Sequence, residues 1–239
     1  MSKFFFKNIN FPYHIISGDD AKHILKSLRM KVGETLILCD GEFDYKCNIE
    51  KVEDGNIKAR IIERDLCRTE PKLRVNLYQA LTKGDKMDFI IQKSIESGVS
   101  RIIPMVTSRC ISRPDKNALE KKIKRWQKIS LEAAKQSGRG MVPEVSSVVS
   151  LEEAIEKCKE NDCSIVFYEG GGEKISNIVH RDTIEVNIFI GPEGGFSEEE
   201  IEKMKRCGMK VGTMGPRILR AETAAIISVA LVIYESERL

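Results

Sequence analysis

Gly191-Pro192-Glu193-Gly194-Gly195-Phe196-Ser197-Glu198-Glu199-Glu200 lies between an apolar run, Val186-Asn187-Ile188-Phe189-Ile190, and an amphipathic stretch, Ile201–Gly208. The apolar run is continuous rather than alternating, as expected of a strand buried on both faces. Ser197 followed by Glu200 matches a capping box, so a helix is expected over Ser197–Cys207. Strand, glycine-rich loop and helix in succession form the unit of a parallel α/β sheet. The loop's glycines leave little side chain between its backbone and a ligand, although the same composition would suit a tight turn with no ligand.

The unit recurs on either side. Leu73–Ala80, Arg101–Val106, Ser164–Tyr168 and Lys210–Met214 read as strands, and Lys86–Ser97 and Asn117–Ser137 as helices stopped by Gly98 and Gly138. Glu222–Glu235 closes the chain as a largely apolar helix. Such alternation predicts a mainly parallel sheet covered on both faces. Residues 1–70 read differently. Glu34–Cys39 ends at the Asp40-Gly41 turn pair, Tyr45–Val52 and Asn56–Ile62 flank Glu53-Asp54-Gly55 as a hairpin, and Asp20–Leu28 suggests a short helix. This first segment is expected to be a small barrel or sandwich, with Pro71 at the boundary.

Composition narrows the classes. The chain has 239 residues, 41% hydrophobic and 31% charged, enough for one large domain or two small ones. No apolar run approaches the ~18 residues of a membrane span, and the apolar patch in Met1–Lys7 is too short for a signal h-region, so a cytoplasmic protein is expected. Seven cysteines, an odd number without a Cys-x-x-Cys spacing, suggest neither a disulfide framework nor a zinc site. His14, His23 and His180 form no ligand pattern, and no metal is expected. Net charge is +3 overall, but residues 71–150 carry 16 basic and 7 acidic side chains, whereas residues 151–239 carry 11 and 17. A basic middle in a near-neutral chain suits a polyanion, or else a solvated helix face.

The glycine loop is not a phosphate motif. A Walker loop ends in Gly-Lys-Ser/Thr, whereas this one ends in Gly-Phe-Ser and carries Glu193, which would repel phosphate. Gly191, Gly194 and Gly195 also miss the Gly-x-Gly-x-x-Gly spacing of dinucleotide folds. Two further loops follow strands: Glu169-Gly170-Gly171-Gly172, and Gly215-Pro216-Arg217-Ile218-Leu219-Arg220 after Met214. Open α/β sheets bind ligands at the C-terminal ends of their strands, so three such loops predict one cleft. Arg220 stands just before a helix, where the macrodipole favours acids such as Glu222 rather than cations.

Several segments together carry a family resemblance. They are Gln79-Ala80-Leu81-Thr82-Lys83-Gly84-Asp85-Lys86-Met87-Asp88, Gln92–Val99, Arg125–Ile129, Glu132–Arg139, Gly191–Glu200 and Gly215–Ala224, with Phe4-Phe5 and Leu28–Glu34 near the start. The chain resembles the RsmE family of ribosomal RNA uridine-N3 methyltransferases, of the SPOUT class, over essentially its whole length. Ala221 departs from the threonine usual in that family, and the strand ending Phe167-Tyr168-Glu169 differs from the family's commoner His-Pro or Glu-containing ending.

The resemblance implies a PUA-like β-barrel for residues 1–70 and an α/β SPOUT domain with a C-terminal trefoil knot for residues 71–239. It implies a homodimer through the knot domain and S-adenosyl-L-methionine as cofactor. The donor would be held by Phe167, Tyr168, Glu169, Ile190, Gly191, Pro192, Glu193, Gly195, Met214, Gly215, Ile218, Leu219, Arg220 and Thr223. Arg220 would be catalytic, stabilising an anionic uracil, with Glu222 orienting it. 16S rRNA of the small ribosomal subunit would be held by Arg29, Lys31, Lys83, Lys86, Arg109, Arg113, Lys121, Lys122, Arg125 and Arg139. A non-catalytic RNA-binding assembly factor on the same fold is the rival reading.

Overall fold

The continuous apolar runs of residues 72–239 pair into one sheet. In the computed structural model, which describes residues 3–158 and 163–238, strands β6 (Arg74–Ala80), β7 (Arg101–Val106), β8 (Glu144–Val145), β10 (Ser164–Phe167), β11 (Glu173–Lys174), β12 (Glu185–Ile190) and β13 (Lys210–Thr213) lie in the order β11-β13-β10-β12-β6-β7-β8. The short β9 (Val149–Ser150) pairs with β7. The pairings in this sheet are parallel. Its centre is the β12–β6 pair, in register from Glu185↔Arg74 to Ile190↔Gln79. Val75, Leu77, Ile188 and Phe189 are buried there, which accounts for the absence of alternation in those runs.

Helices α2 (Lys86–Glu96), α3 (Lys116–Ser137), α4 (Leu151–Lys157), α5 (Glu198–Arg206) and α6 (Ala221–Arg238) connect or cover these strands. Ser197 and Glu200 form the expected capping box on α5. An equivalent box, Ser150 with Glu153, starts α4, a helix that the apolar spacing does not reveal. α6 packs on α2, β12 and β6, burying Ala225, Ser228, Val229 and Val232.

The chain divides into two units, Met1–Glu70 with Ala134–Val142, and Pro71–Ala133 with Pro143–Leu239. In the first, β1 (Lys3–Phe5), β2 (Tyr13–Ile16), β3 (Thr35–Cys39), β4 (Phe43–Glu53) and β5 (Asn56–Leu66) form a sheet in the order β1-β3-β4-β5-β2. The β4–β5 hairpin turns at Asp54 and Gly55, both at positive φ, as a two-residue turn of the primed type requires. The expected helix over residues 20–28 is a short α1 (Gly18–Lys22) running into a π-helical turn, His23–Ser27. The core of this unit holds Phe4, Ile16, Ile24, Leu36, Leu38 and Ile57.

Ala134–Val142, expected in the second domain, packs in the first unit. Arg139 is 3% exposed and binds Glu70, while the N–H of Gly140 donates to the same carboxylate at 2.6 Å. Lys3 Nζ donates to Gly138 O at 2.9 Å and to Asp44 at 2.8 Å. A buried ammonium needs such partners. Five of the seven cysteines are buried: Cys39, Cys47, Cys110, Cys158 and Cys163.

Strand order in the larger sheet brings backbone into close approach at the bridge. β13 lies between β10 and β11, so residues 168–172 bridge from one neighbour of β13 to the other. A Cβ at Gly172 would come within 2.4 Å of Val211 O on β13, a backbone atom that cannot step aside. Gly172→Ala is therefore expected to destabilise the protein by about 1–3 kcal/mol through overpacking. Thermal denaturation followed by circular dichroism checks this, and an unchanged melting temperature would refute the close approach.

Candidate active site

The loops after β10, β12 and β13 meet in a cleft of about 300 Å³. Parallel order is the cause, because it brings three C-terminal strand ends side by side. Phe167, Tyr168 and Glu169 line one wall; Ile190, Gly191, Pro192, Glu193, Gly195 and Phe196 another; Met214 through Ala221 a third. Of the expected cofactor residues only Thr223 is absent from the lining; it lies in the first turn of α6, one residue before Ala224, which does line the cleft. Phe196, Pro216, Arg217 and Ala221 also line the cleft, within the loop segments read from sequence but outside the expected cofactor set, whereas Gly212, Thr213 and Ala224 lie outside both.

The first two walls touch. Gly195 has φ +66, and a Cβ there would approach Glu169 Oε2 to 2.9 Å. The N–H of Gly195 donates to Pro192 O at 2.9 Å, closing a turn that keeps Glu193 at its tip. Arg109, expected on RNA, holds this turn by donating from Nη1 to Gly194 O at 2.8 Å.

Glu193 ties the glycine loop to the start of α2. Its Oε1 accepts from Lys83 N–H at 3.1 Å and lies 3.1 Å from Lys86 Nζ. Burial pushes its pKa up, but backbone N–H groups, including that of Lys83, and the Lys86 ammonium outweigh it and hold the carboxyl below its ordinary range. Lys86, expected to bind phosphate, thus lines the cleft. Its Nζ is also 3.7 Å from Glu222 Oε2. Glu222, expected to orient Arg220, has this ion pair instead, and its Oε2 accepts no hydrogen bond. Arg220 is exposed at the start of α6, where its carbonyl accepts from Ala224 N–H at 2.8 Å.

The remaining basic residues are spread over both units. Lys121 is exposed and Lys122 half-buried on α3, with Nζ of Lys122 5.9 Å from the Trp126 ring centroid. Arg125 of the same helix is bound to Asp88, which also accepts from Trp126 Nε1 at 3.0 Å. Arg113 donates to Ser108 O at 3.2 Å in its own loop. Lys83 is exposed, as are Arg29 and Lys31 in the first unit. Arg139 departs from the expected RNA-binding set: its guanidinium is buried on Glu70, so it cannot present itself to a phosphate.

Residues 69–233 match a family model described as an RNA methyltransferase domain, and residues 16–62 one described as an RNA methyltransferase PUA domain. The chain is 33% identical, over 95% of its length and 92% of the relative's, to the ribosomal RNA small subunit methyltransferase E of Bacillus subtilis (strain 168). Its fold is similar to that of a ribosomal RNA small subunit methyltransferase E from Neisseria gonorrhoeae bound to S-adenosyl methionine. There the TM-score is 0.87 at 30% identity, covering 97% of this chain and 96% of the other. It is likewise similar to a putative methyltransferase from Legionella pneumophila in complex with the bound cofactor SAM. That TM-score is 0.85 at 32% identity, covering 96% of each chain.

The Glu193 contacts make a prediction about acid. A carboxyl whose folded pKa is depressed stabilises above its unfolded pKa, and that stability is lost as pH falls through the folded value. Glu193→Gln should reproduce the acid state at neutral pH, weakening the tie by about 1–2 kcal/mol, roughly tenfold in exchange of the Lys83 amide. Hydrogen exchange measures this, and equal protection in the variant would exclude the tie.

Proposed function

Because this chain belongs to the ribosomal RNA small subunit methyltransferase E family, we propose that it transfers the methyl group of S-adenosyl-L-methionine to N3 of a uridine in 16S rRNA. The observation that carries this reading is the three-loop cleft itself. Its volume suits a small molecule. Phe167, Ile190 and Leu219 offer apolar surface for an adenine ring, the glycine-rich walls offer backbone groups, and Glu169 and Glu193 offer negative charge to a sulfonium and an ammonium. When bound, the cofactor supplies an already activated methyl group. This chain's own residues then have to orient the acceptor and stabilise the charge it develops as the N3 proton leaves. Arg220, exposed at the cleft with no ion-pair partner among the described residues, is free to meet the acceptor nucleotide. The uridine must be splayed out of any duplex to reach such a cleft.

Finer expectations belong to the same reading. The insertion of β13 between β10 and β11 supports a trefoil knot, formed where the chain leading to α6 passes the 168–172 bridge. The outward face of α6, with Tyr234 63% exposed and Leu231 partly so, supports a homodimer through this domain. No helix among the described residues is long and apolar enough to cross a membrane, and a ribosomal RNA substrate supports a cytoplasmic location. The α3 lysines and the first unit's Arg29 and Lys31 would hold RNA phosphates.

Two measurements test this. Small-subunit RNA incubated with the protein and labelled cofactor should yield N3-methyluridine on nucleoside mass mapping. Arg220→Ala should lower turnover at least about tenfold while calorimetry shows unchanged cofactor binding. A different methylated nucleoside, or no cofactor binding by the wild type, would refute the assignment. Independently, Lys121→Glu with Lys122→Glu should flatten the dependence of RNA affinity on salt by about 0.7 in log–log slope for each phosphate no longer neutralised. An unchanged slope would make that face merely solvated.

A further inference from the structure

Three cations line the cleft: Lys86, Arg217 and Arg220. The two arginines are exposed and have no ion-pair partner among the described residues. Lys86 differs. Its side chain is 38% exposed and its Nζ is bracketed by Glu193 Oε1 at 3.1 Å and Glu222 Oε2 at 3.7 Å. These carboxylates come from two other elements, the loop after β12 and the first turn of α6. Fixing an ammonium from two sides restricts a side chain that is otherwise among the most mobile. The Glu193 contact lies within hydrogen-bond distance, whereas 3.7 Å is too long for one. Of the three ammonium N–H groups, at least one is therefore uncommitted. Glu222 Oε2 is buried, yet accepts no hydrogen bond.

We propose that Lys86 is a catalytic residue, its ammonium stabilising the negative charge that develops on a carbonyl oxygen of the acceptor uracil. This rests on the reading of the chain as a uridine N3 methyltransferase. In the step, N3 loses its proton to water, and the N3 electron pair forms the bond to the methyl carbon. The bond from that carbon to sulfur breaks with its pair left on sulfur. Negative charge on the base is delocalised onto the oxygens beside N3, where a preorganised cation acts without reorganisation at the moment of reaction. Glu193 and Glu222 are positioning residues for that cation. The other charged groups near Lys86 do not compete for it. Asp85 and Asp88, on its own side of the chain, are engaged by Arg125 of α3, and Glu169, in the loop after β10, forms no ion pair with it among the described residues.

The alternative role for Lys86, contact with an RNA phosphate, makes different kinetic demands. Lys86→Met and Lys86→Arg would be compared with wild type in single-turnover methylation, RNA affinity against salt, cofactor calorimetry and thermal melting. Lys86→Met should lose about 10²–10³-fold in rate, the scale for removing one oxyanion donor. RNA and cofactor affinities should stay within about twofold, and Lys86→Arg should recover part of the rate. The deficit of Lys86→Met should shrink as pH rises, because a base already ionised by hydroxide needs less help. An unchanged rate, or an unchanged rate with weaker RNA binding and a flatter salt slope, would overturn the proposal. So would a deficit equal at every pH with a lowered melting temperature, which marks a structural lysine. Should Lys86→Met fail to fold, Glu193→Gln keeps the ammonium but loosens it, and wild-type rate in that variant would equally overturn it. Absence of N3-methyluridine from wild-type reactions would refute the underlying reading, whereas wild-type product with an unaffected Lys86→Met refutes only the role of Lys86.

Discussion

The cleft depends on one constraint, the place of β13 between β10 and β11. A strand arriving last in a sheet ordinarily takes an edge. Here it takes an interior position, so the segment joining its two neighbours has to bridge it, and that bridge is one wall of the cleft. The bridge survives because Gly172 carries no Cβ to strike Val211 O and because parallel strands point their C-terminal ends the same way. With β12 beside β10, the loops after β10, β12 and β13 open at one end of the sheet. The remaining features of the site, glycine walls, carboxylates and cations, are consequences of which residues those loops carry.

Within that frame Glu193 has the largest local influence. In a phosphate site it would be a liability. In a cleft for a cationic donor it is compatible with the ligand, and it accepts from Lys83 and Lys86 as well. One carboxylate thus holds the glycine loop to the start of α2 and fixes a cation at the rim. Glu222 completes the arrangement from α6, where the helix macrodipole also favours a negative charge. The chemistry that the cleft can perform follows from this pairing of opposite charges rather than from any single residue.

Much of the architecture is legible in order along the chain. Continuous apolar runs mark buried strands, Ser197 with Glu200 marks the start of α5, and Asp54-Gly55 marks the hairpin. The elements that escape are short. β1, β2, β8, β9 and β11 span two to four residues each, too few to show a period. α4 escapes although Ser150 and Glu153 form the same capping box as α5, because its apolar positions are few. At the site, the glycine loops are visible because glycine has few other reasons to cluster. Lys86 reads from sequence as a phosphate ligand, since a lysine in a basic segment looks like any other until its partners are known. Arg139 misleads for the converse reason, its partner Glu70 lying far away in sequence.

By itself the sequence determined the α/β class, the small β unit before Pro71 and the loops from which the cleft is built, because period, capping and turn chemistry act between residues near one another in the chain. Family membership was legible too, from motifs spread over its length. Only the tertiary structure decided the insertion of β13, the packing of Ala134–Val142 with the first unit, and the placing of Lys86 between Glu193 and Glu222. Those depend on contacts between residues distant in sequence, and an ion pair of that kind is set by where the backbone brings its two charges, which no local pattern encodes.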